Sequence, residues 1–401
     1  MLLKKELGLT LKSLTYWLAV LFIGVFLFTQ LGSDFISLKK PEPGQSEYGI
    51  TSTTNKKEIQ QQTISTLLQQ YNSRGYNTYP FGFLKVVKLS KSDTATIKEI
   101  LKQATGKSID EINKTQTEMA LENPEMDQFT LAKNLPIAKG YSYAAFEKDM
   151  KKVADLIGNG SAFSKNFYLS QARRQMTYQE ATENFQTILK KDRVSGAFAR
   201  MACDYLGLIL GLVPVFVAAT VVLRDKRAQS QLVVNSKRIS TFKLHGTRFL
   251  STVLLILLPV MILSLLPAIQ SVYVAQKYQD TGDLLLFYQY IIGWTLPTIV
   301  AVVGMSFLIT TLFNGLVSVI FQLGFWLLSL LNNGQQIVGS VRLNLIPRFN
   351  DVGSREVFER IFSELVINRI FWLILGLICF LISCVVFDLK RKGRMRYGNS
   401  R

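Results

Sequence analysis

The sequence predicts an α-helical integral membrane protein: six transmembrane helices, with one α-rich α+β extracytoplasmic domain inserted between helices 1 and 2. Three observations carry this. Hydrophobic residues make up 48% of the 401, and they gather into runs close to the ~20 residues that cross a ~30 Å hydrocarbon core. The formal charge of +18 is concentrated beside those runs, at Lys4, Lys5 and Lys12, along 224–248, and at Lys390, Arg391, Lys392, Arg394, Arg396 and Arg401. Basic flanks lie on the cytoplasmic side, and all of these fall on one side of a six-span count with both termini inside. Finally, residues 34–198 are polar and of mixed charge, enough for one domain. With Lys4 and Lys5 inside, that domain lies outside. No nucleic-acid-binding module is readable, so the basic excess reads as orientation and attraction to membrane lipid, not as a nucleic-acid partner.

In chain order, residues 1–33 hold a leader and the first span. Leu2, Leu3, Leu7 and Leu11 form one face of a short interfacial helix, and 14–31 is the span, with Tyr16 and Trp17 at its inner boundary. Residues 34–198 open on the linker LKKPEPGQSEYG. A helix follows from about Glu58 to Tyr71, then a β-prone stretch, YPFGFLKVVKL, at 79–89. Thr96-x-x-Glu99, Ser108-x-x-Glu111 and Thr177-x-x-Glu180 read as capping boxes. Phe146, Met150, Val153 and Ile157, and Tyr178, Ala181, Phe185 and Ile188, recur at helical spacing.

Residues 199–401 carry helices 2–6. Spans two and three flank the basic loop 224–248, in which seven arginines and lysines face one acid, Asp225. Asp204, some twenty residues or roughly 30 Å from Arg224, is expected at the outer boundary. A fourth span covers 285–312, Asn314-Gly315 makes a turn, and a short fifth run covers 316–331. Residues 332–367 form an outer loop, in which 355–364 is an amphipathic stretch that dips into the membrane ahead of the sixth span, 370–387. Gly207-x-x-x-Gly211 permits close approach of a neighbouring helix. Pro214, Pro259, Pro267 and Pro297 each remove a backbone hydrogen bond and permit kinks.

The chemistry-bearing inventory is sparse. There is no G-x-x-x-x-G-K-[ST] phosphate loop, and the single histidine, His245, falls in the basic loop, so neither nucleotide hydrolysis nor a Ser-His-Asp triad is readable. Cys203, Cys379 and Cys384 lie in or beside apolar runs and lack metal-ligand spacing. Residues 228–234, AQSQLVV, form a short amphipathic helix with Leu232, Val233 and Val234 on one side, broken by Asn235-Ser236.

Six spans, a basic loop between the second and third, and a long loop before the sixth resemble an ABC type-2 exporter permease. QLVVNSKRIS at 231–240, leading into 249–259, is similar to that family's segment from the coupling helix into the third span. YPFGFLKVVKLS at 79–90, GYSYAAF at 140–146 and GNGSAFS at 158–164 look like recurring segments of a Gram-positive subset with a large extracytoplasmic domain. The resemblance implies a permease subunit with no catalytic, cofactor or metal site of its own. Gln231, Leu232, Val234, Asn235, Ser236 and Arg238 would meet a cytoplasmic ABC ATPase, present in two copies and holding ATP and Mg. A second permease, self or homologue, would complete the pathway for a peptide, lipid-like or antibiotic substrate. The leader would be a supporting elbow, and 340–367 an outer re-entrant element. A non-transporting receptor or scaffold acting through 34–198 is the alternative.

Overall fold

The structure, a computed structural model, describes residues 2–31, 38–45, 47–80, 84–122, 132–313, 315–333, 341, 343–348, 352–353 and 355–394. The chain divides into two compact units. One is built from Met1–Lys40, Asn184–Asn333 and Ile337–Arg401, the other from Pro41–Glu183. Composition alone divides the chain at 198. Ile188, Val194, Ala197 and Phe198 instead share a core with the apolar helices.

The first two helices are α1 (Leu2–Leu11) and α2 (Leu14–Leu31). Tyr16, Ala19, Ile23 and Leu27 of α2 are buried, while Leu18, Leu21, Phe22, Val25 and Phe28 face outward. A helix apolar on both faces suits lipid on one of them. In α1 the face buried in the protein holds Glu6 and Thr10, and Leu11 is exposed.

The second unit is helical with two small sheets. Its elements are β1 (Ile50–Ser52), α3 (Lys56–Asn72), β2 (Tyr76–Thr78), β3 (Lys85–Val87), α4 (Lys91–Thr105), α5 (Ile109–Glu122), α6 (Tyr143–Ile157), α7 (Lys165–Gln171) and β4 (Arg173–Gln175). Antiparallel β1–β4 pairs Ile50 with Gln175, and β2–β3 pairs Tyr76 with Val87. Residues 81–83 of the β-prone stretch lie outside the described residues. The helices bury Ile64, Leu67, Leu68, Ile97, Leu101, Phe146, Met150 and Val153 together, so the spacing in α6 did mark a core face. Two capping boxes form. The Glu111 amide donates to Ser108 Oγ while Glu111 accepts from the Ser108 amide (2.9 Å). Thr177 and Glu180 make the same reciprocal pair. Thr96 and Glu99 do not: they lie inside α4, whose cap is Ser90.

Glu180 is also held by Arg174, which donates to both carboxylate oxygens. That guanidinium first, and the Thr177 amide second, pull the Glu180 carboxyl down to about 2. A depressed folded value contributes stability above the unfolded carboxylate value of ~4.3 and loses it as pH falls toward about 2. Glu180→Gln is therefore expected to lower the melting temperature slightly at pH 6, by the ~1 kcal/mol or less of a partly exposed pair. Melts of both proteins across pH 6 to 3 check this: the gap narrows on acidification, and a gap independent of pH contradicts the assignment.

From α8 (Tyr178–Lys190) the chain enters α9 (Ser195–Leu210), α10 (Pro214–Arg227), α11 (Gln231–Ser236), α12 (Thr241–Leu263), α13 (Leu265–Lys277), α14 (Leu284–Phe313), α15 (Val317–Asn333) and α16 (Arg355–Arg391). Among the described residues four helical stretches are long and apolar enough to cross a membrane: Leu14–Leu31, Thr241–Lys277, Leu284–Phe313 and Arg355–Arg391. The α9–α10 pair passes the same criteria together, with a 42° bend between the two helices. The protein is mostly helical and membrane-embedded.

Helix α14 is the centre of this unit. It is buried almost continuously from Thr295 to Phe307, packing on α16, α9, α10 and α12. Gly304 and Gly376 let α14 and α16 meet backbone to backbone. A Cβ on Gly376 would stand 2.5–2.7 Å from Val300 O and the Ala301 backbone.

The four prolines differ in effect. Pro214 opens α10 at the bend, and Pro267 lies in the first turn of α13, just past the break at Ser264. Pro259 and Pro297 sit inside α12 and α14, each running on past its proline. Residues 355–364 are the first turns of the 37-residue α16 rather than a separate dipping stretch, because Phe358 and Leu365 are buried and carry the helix on. Asn314 of the expected turn lies outside the described residues.

Candidate functional site

Between α10 and α12 the chain makes two tight reversals around the six-residue α11. The first is a left-handed C-cap. Gln229 has φ 52°, its amide donates to Lys226 O (3.1 Å), and the Ser230 amide donates to Asp225 O (2.9 Å). These are the two bonds of a Schellman motif, which satisfies carbonyls a helix end leaves open. The second reversal ends at Ser240, whose Oγ accepts from the Lys243 amide (3.2 Å) and starts α12.

The residues singled out from sequence lie together on this element. Leu232 is 84% exposed and Val233 60% exposed. Gln231, Val234 and Asn235 are half-buried, and Ser236 and Arg238 are exposed. Val234 turns partly inward, so the apolar tip is Leu232 with Val233, a residue not singled out as a contact.

Side chains distant in sequence fix α11 from behind. Arg391, in the last turn of α16, donates to Asn235 O (3.1 Å), Ile239 O (2.6 Å) and Lys237 O. Thr241 Oγ1 donates to Asp388 Oδ1 (2.7 Å). On the other flank Glu6 of α1 is the shared acceptor for Arg224 and Arg248, and Arg248 Nη2 lies 2.7 Å from Asp225 Oδ2. Glu6 and Arg248 are each about 4% exposed. Buried charges of this kind persist only when paired. Two of the arginines that made the loop look uniformly basic are thus neutralised within the fold. The leader's lone acid, in LLKKELGLTLK, was the one sequence signal for this contact. Nothing marked Arg391 among its basic neighbours.

His245 is not a loop residue. It lies in the first turns of α12, 1% exposed, with Nε2 2.7 Å from Ser383 Oγ and its ring stacked on Phe387. Aromatic rings from α14 and α16 enclose it.

A second polar cluster lies at the other end of the helices. Asp204, expected at a boundary, is 1% exposed, and Arg348 Nε lies 3.4 Å from it. Residues 343–348 are non-helical, yet Asn344, Leu345 and Ile346 are buried. Non-helical backbone survives inside a membrane protein when its polar groups find protein partners. Here Asn368, Arg369 and Trp372 of α16 donate to the carbonyls of Val341, Asn344 and Leu345. Gly207 and Gly211 admit this segment, not a helix: a Cβ on Gly211 would stand 2.7 Å from Ile346 Cδ1. Arg369 also donates to Thr298 Oγ1 (2.8 Å), and among the described residues no carboxylate lies within ion-pair distance of it.

Nearby, Asp192 accepts from Arg200 Nη1 and Nη2 (2.5 and 2.6 Å) and from Arg355 Nη1 (2.7 Å). Sequence reasoning missed this trio: Asp192 and Arg200 are eight residues apart, and Arg355 joins them from 163 residues away. Comparison with protein families, characterised proteins and solved structures gives no match for the chain.

Proposed function

We propose that the chain is the transmembrane permease subunit of an ATP-binding-cassette exporter, moving a peptide, lipid-like or antibiotic substrate. The six spans are α2, α9–α10, α12–α13, α14, α15 and α16. Both termini and α11 face the cytoplasm, and the second unit, Pro41–Glu183, lies outside the cell. A separate ATPase, in two copies with ATP and Mg, docks on α11, and a second permease completes the pathway.

One observation carries this reading: a short helix with an exposed apolar tip, braced where two bundle helices meet. Leu232 and Val233 on a short, otherwise uncharged helix between basic flanks suit a hydrophobic groove in a soluble partner. Force on α11 reaches α10 and α12 directly, and α16 through Arg391. The similarity of 231–240 to a coupling segment points the same way.

Leu232→Asp is expected to cut the ATPase recovered with the chain by roughly ten-fold or more, the effect of losing a central interface anchor. The check is tagged purification from native membranes, with mass spectrometry for a phosphate-loop ATPase and with the melting temperature of the variant recorded. If no such ATPase accompanies the wild type, or Leu232→Asp retains it fully, the assignment fails.

A further inference from the structure

We propose that the groove between α1 and α10 binds one anionic phospholipid. The inference rests on membrane embedding alone and stands apart from the transport reading. A cavity of about 400 Å³ opens there, within the ~300–1,000 Å³ of small-ligand sites. Leu9, Val217 and Val221 make its apolar floor, and Ser13, Arg224 and Arg227 line its polar side. Arg224 is engaged by Glu6. Arg227 is exposed, and among the described residues it has no hydrogen-bond or ion-pair partner; neither does the Ser13 hydroxyl.

Apolar floor beside a cationic rim matches the two halves of a phospholipid: acyl carbons against Val217 and Val221, phosphate at Arg227 and Ser13. The height is suitable as well. Trp17, one turn beyond Ser13, is 55% exposed and donates through Nε1 to Leu11 O (2.8 Å). An exposed Trp with its N–H satisfied at a helix end marks the polar–apolar boundary of a membrane. Of the two arginines lining the groove, Arg224 is paired with Glu6, which leaves the charge of Arg227 for an anionic headgroup. A zwitterionic headgroup would bring its own cation toward that charge, and a soluble phosphate would leave the apolar floor wet.

Native mass spectrometry of the full-length protein in detergent, titrated with phosphatidylglycerol, phosphatidylcholine or inorganic phosphate, tests this. One phosphatidylglycerol is expected to be retained about five-fold more strongly than phosphatidylcholine, with millimolar phosphate failing to displace it. Arg227→Gln is expected to remove that preference, about five-fold for one cation near an anionic group. Leu9→Trp, which fills the cavity from its exposed wall without changing charge, also lowers retention. Arg394→Gln removes the same charge at an exposed position elsewhere and leaves retention intact. Equal retention of the two lipids, an unaffected Arg227→Gln, an equal loss in Arg394→Gln, or displacement by inorganic phosphate would each overturn the site.

Discussion

Asp192→Ala is expected to cost about 3–5 kcal/mol, as breaking a buried ion pair from one side does, and to lower the melting temperature in detergent by on the order of 10 °C. Asp192 is 1% exposed and serves two arginines. Arg355 keeps Glu359 at 2.7 Å and a partly exposed side chain. Among the described residues Arg200 then stands over the face of Phe358, 4.7 Å away, without a carboxylate, and it is 1% exposed. A buried cation over an aromatic ring recovers only ~2 kcal/mol, so the loss falls chiefly on Arg200. The double variant Asp192→Ala/Arg200→Leu should recover part of the stability, since an apolar pair replaces the stranded charge. Thermal melts of the singles and the double decide it. A double variant no better than Asp192→Ala would mean the carboxylate acts through Arg355 instead.

Gly376→Val is expected to be as damaging, because α14 and α16 meet through backbone at this point. A side chain there overlaps Val300 O and the Ala301 backbone, neither of which rotates away. The helices must separate, and overpacking of well-packed interiors costs about 1–3 kcal/mol or more. Separation also breaks contacts the same pair shares: Arg369 to Thr298, Lys390 to the carbonyls of Thr311 and Leu312, and the Ser383 hydroxyl with Thr311. Gly293→Ala is the internal control: it lies on α14 but a Cβ there meets nothing within 4 Å. Size-exclusion profiles in detergent should show Gly376→Val aggregated or absent and Gly293→Ala monodisperse. Equal behaviour of the two would remove the close-approach explanation.

Both residues show where sequence reading stops. Gly304 and Gly376 belong to different helices, each an isolated glycine in an apolar run, so no local pattern joins them. The pattern that was visible, Gly207-x-x-x-Gly211, receives Ile346 from a non-helical segment. Charge behaves likewise. Hydropathy treats Arg200, Asp204, Arg248 and Arg369 as polar and therefore peripheral, yet all four are buried. Burial is tolerable because each meets a partner. Arg200 finds Asp192 eight residues away, but Glu6 for Arg248, Arg348 for Asp204 and Thr298 for Arg369 come from distant stretches, and such pairing leaves no periodic trace.

What the sequence determined by itself is what depends on short-range statistics of single segments: which runs suit a membrane, where Ser108 and Thr177 cap helices, which face of α6 is apolar, and that a short helix carrying Leu232 lies in the basic loop 224–248, though it spans Gln231–Ser236 rather than 228–234. The tertiary structure decided what depends on pairing between segments: the bend at Pro214, the burial of 343–348, the neutralisation of Arg248 by Glu6 and Asp225, and the hold of Arg391 on the α11 carbonyls. Hydrophobic burial and capping act over one or two helical turns and are written locally. A buried charge or a backbone-to-backbone contact is stable only through its partner, and only the folded chain supplies one.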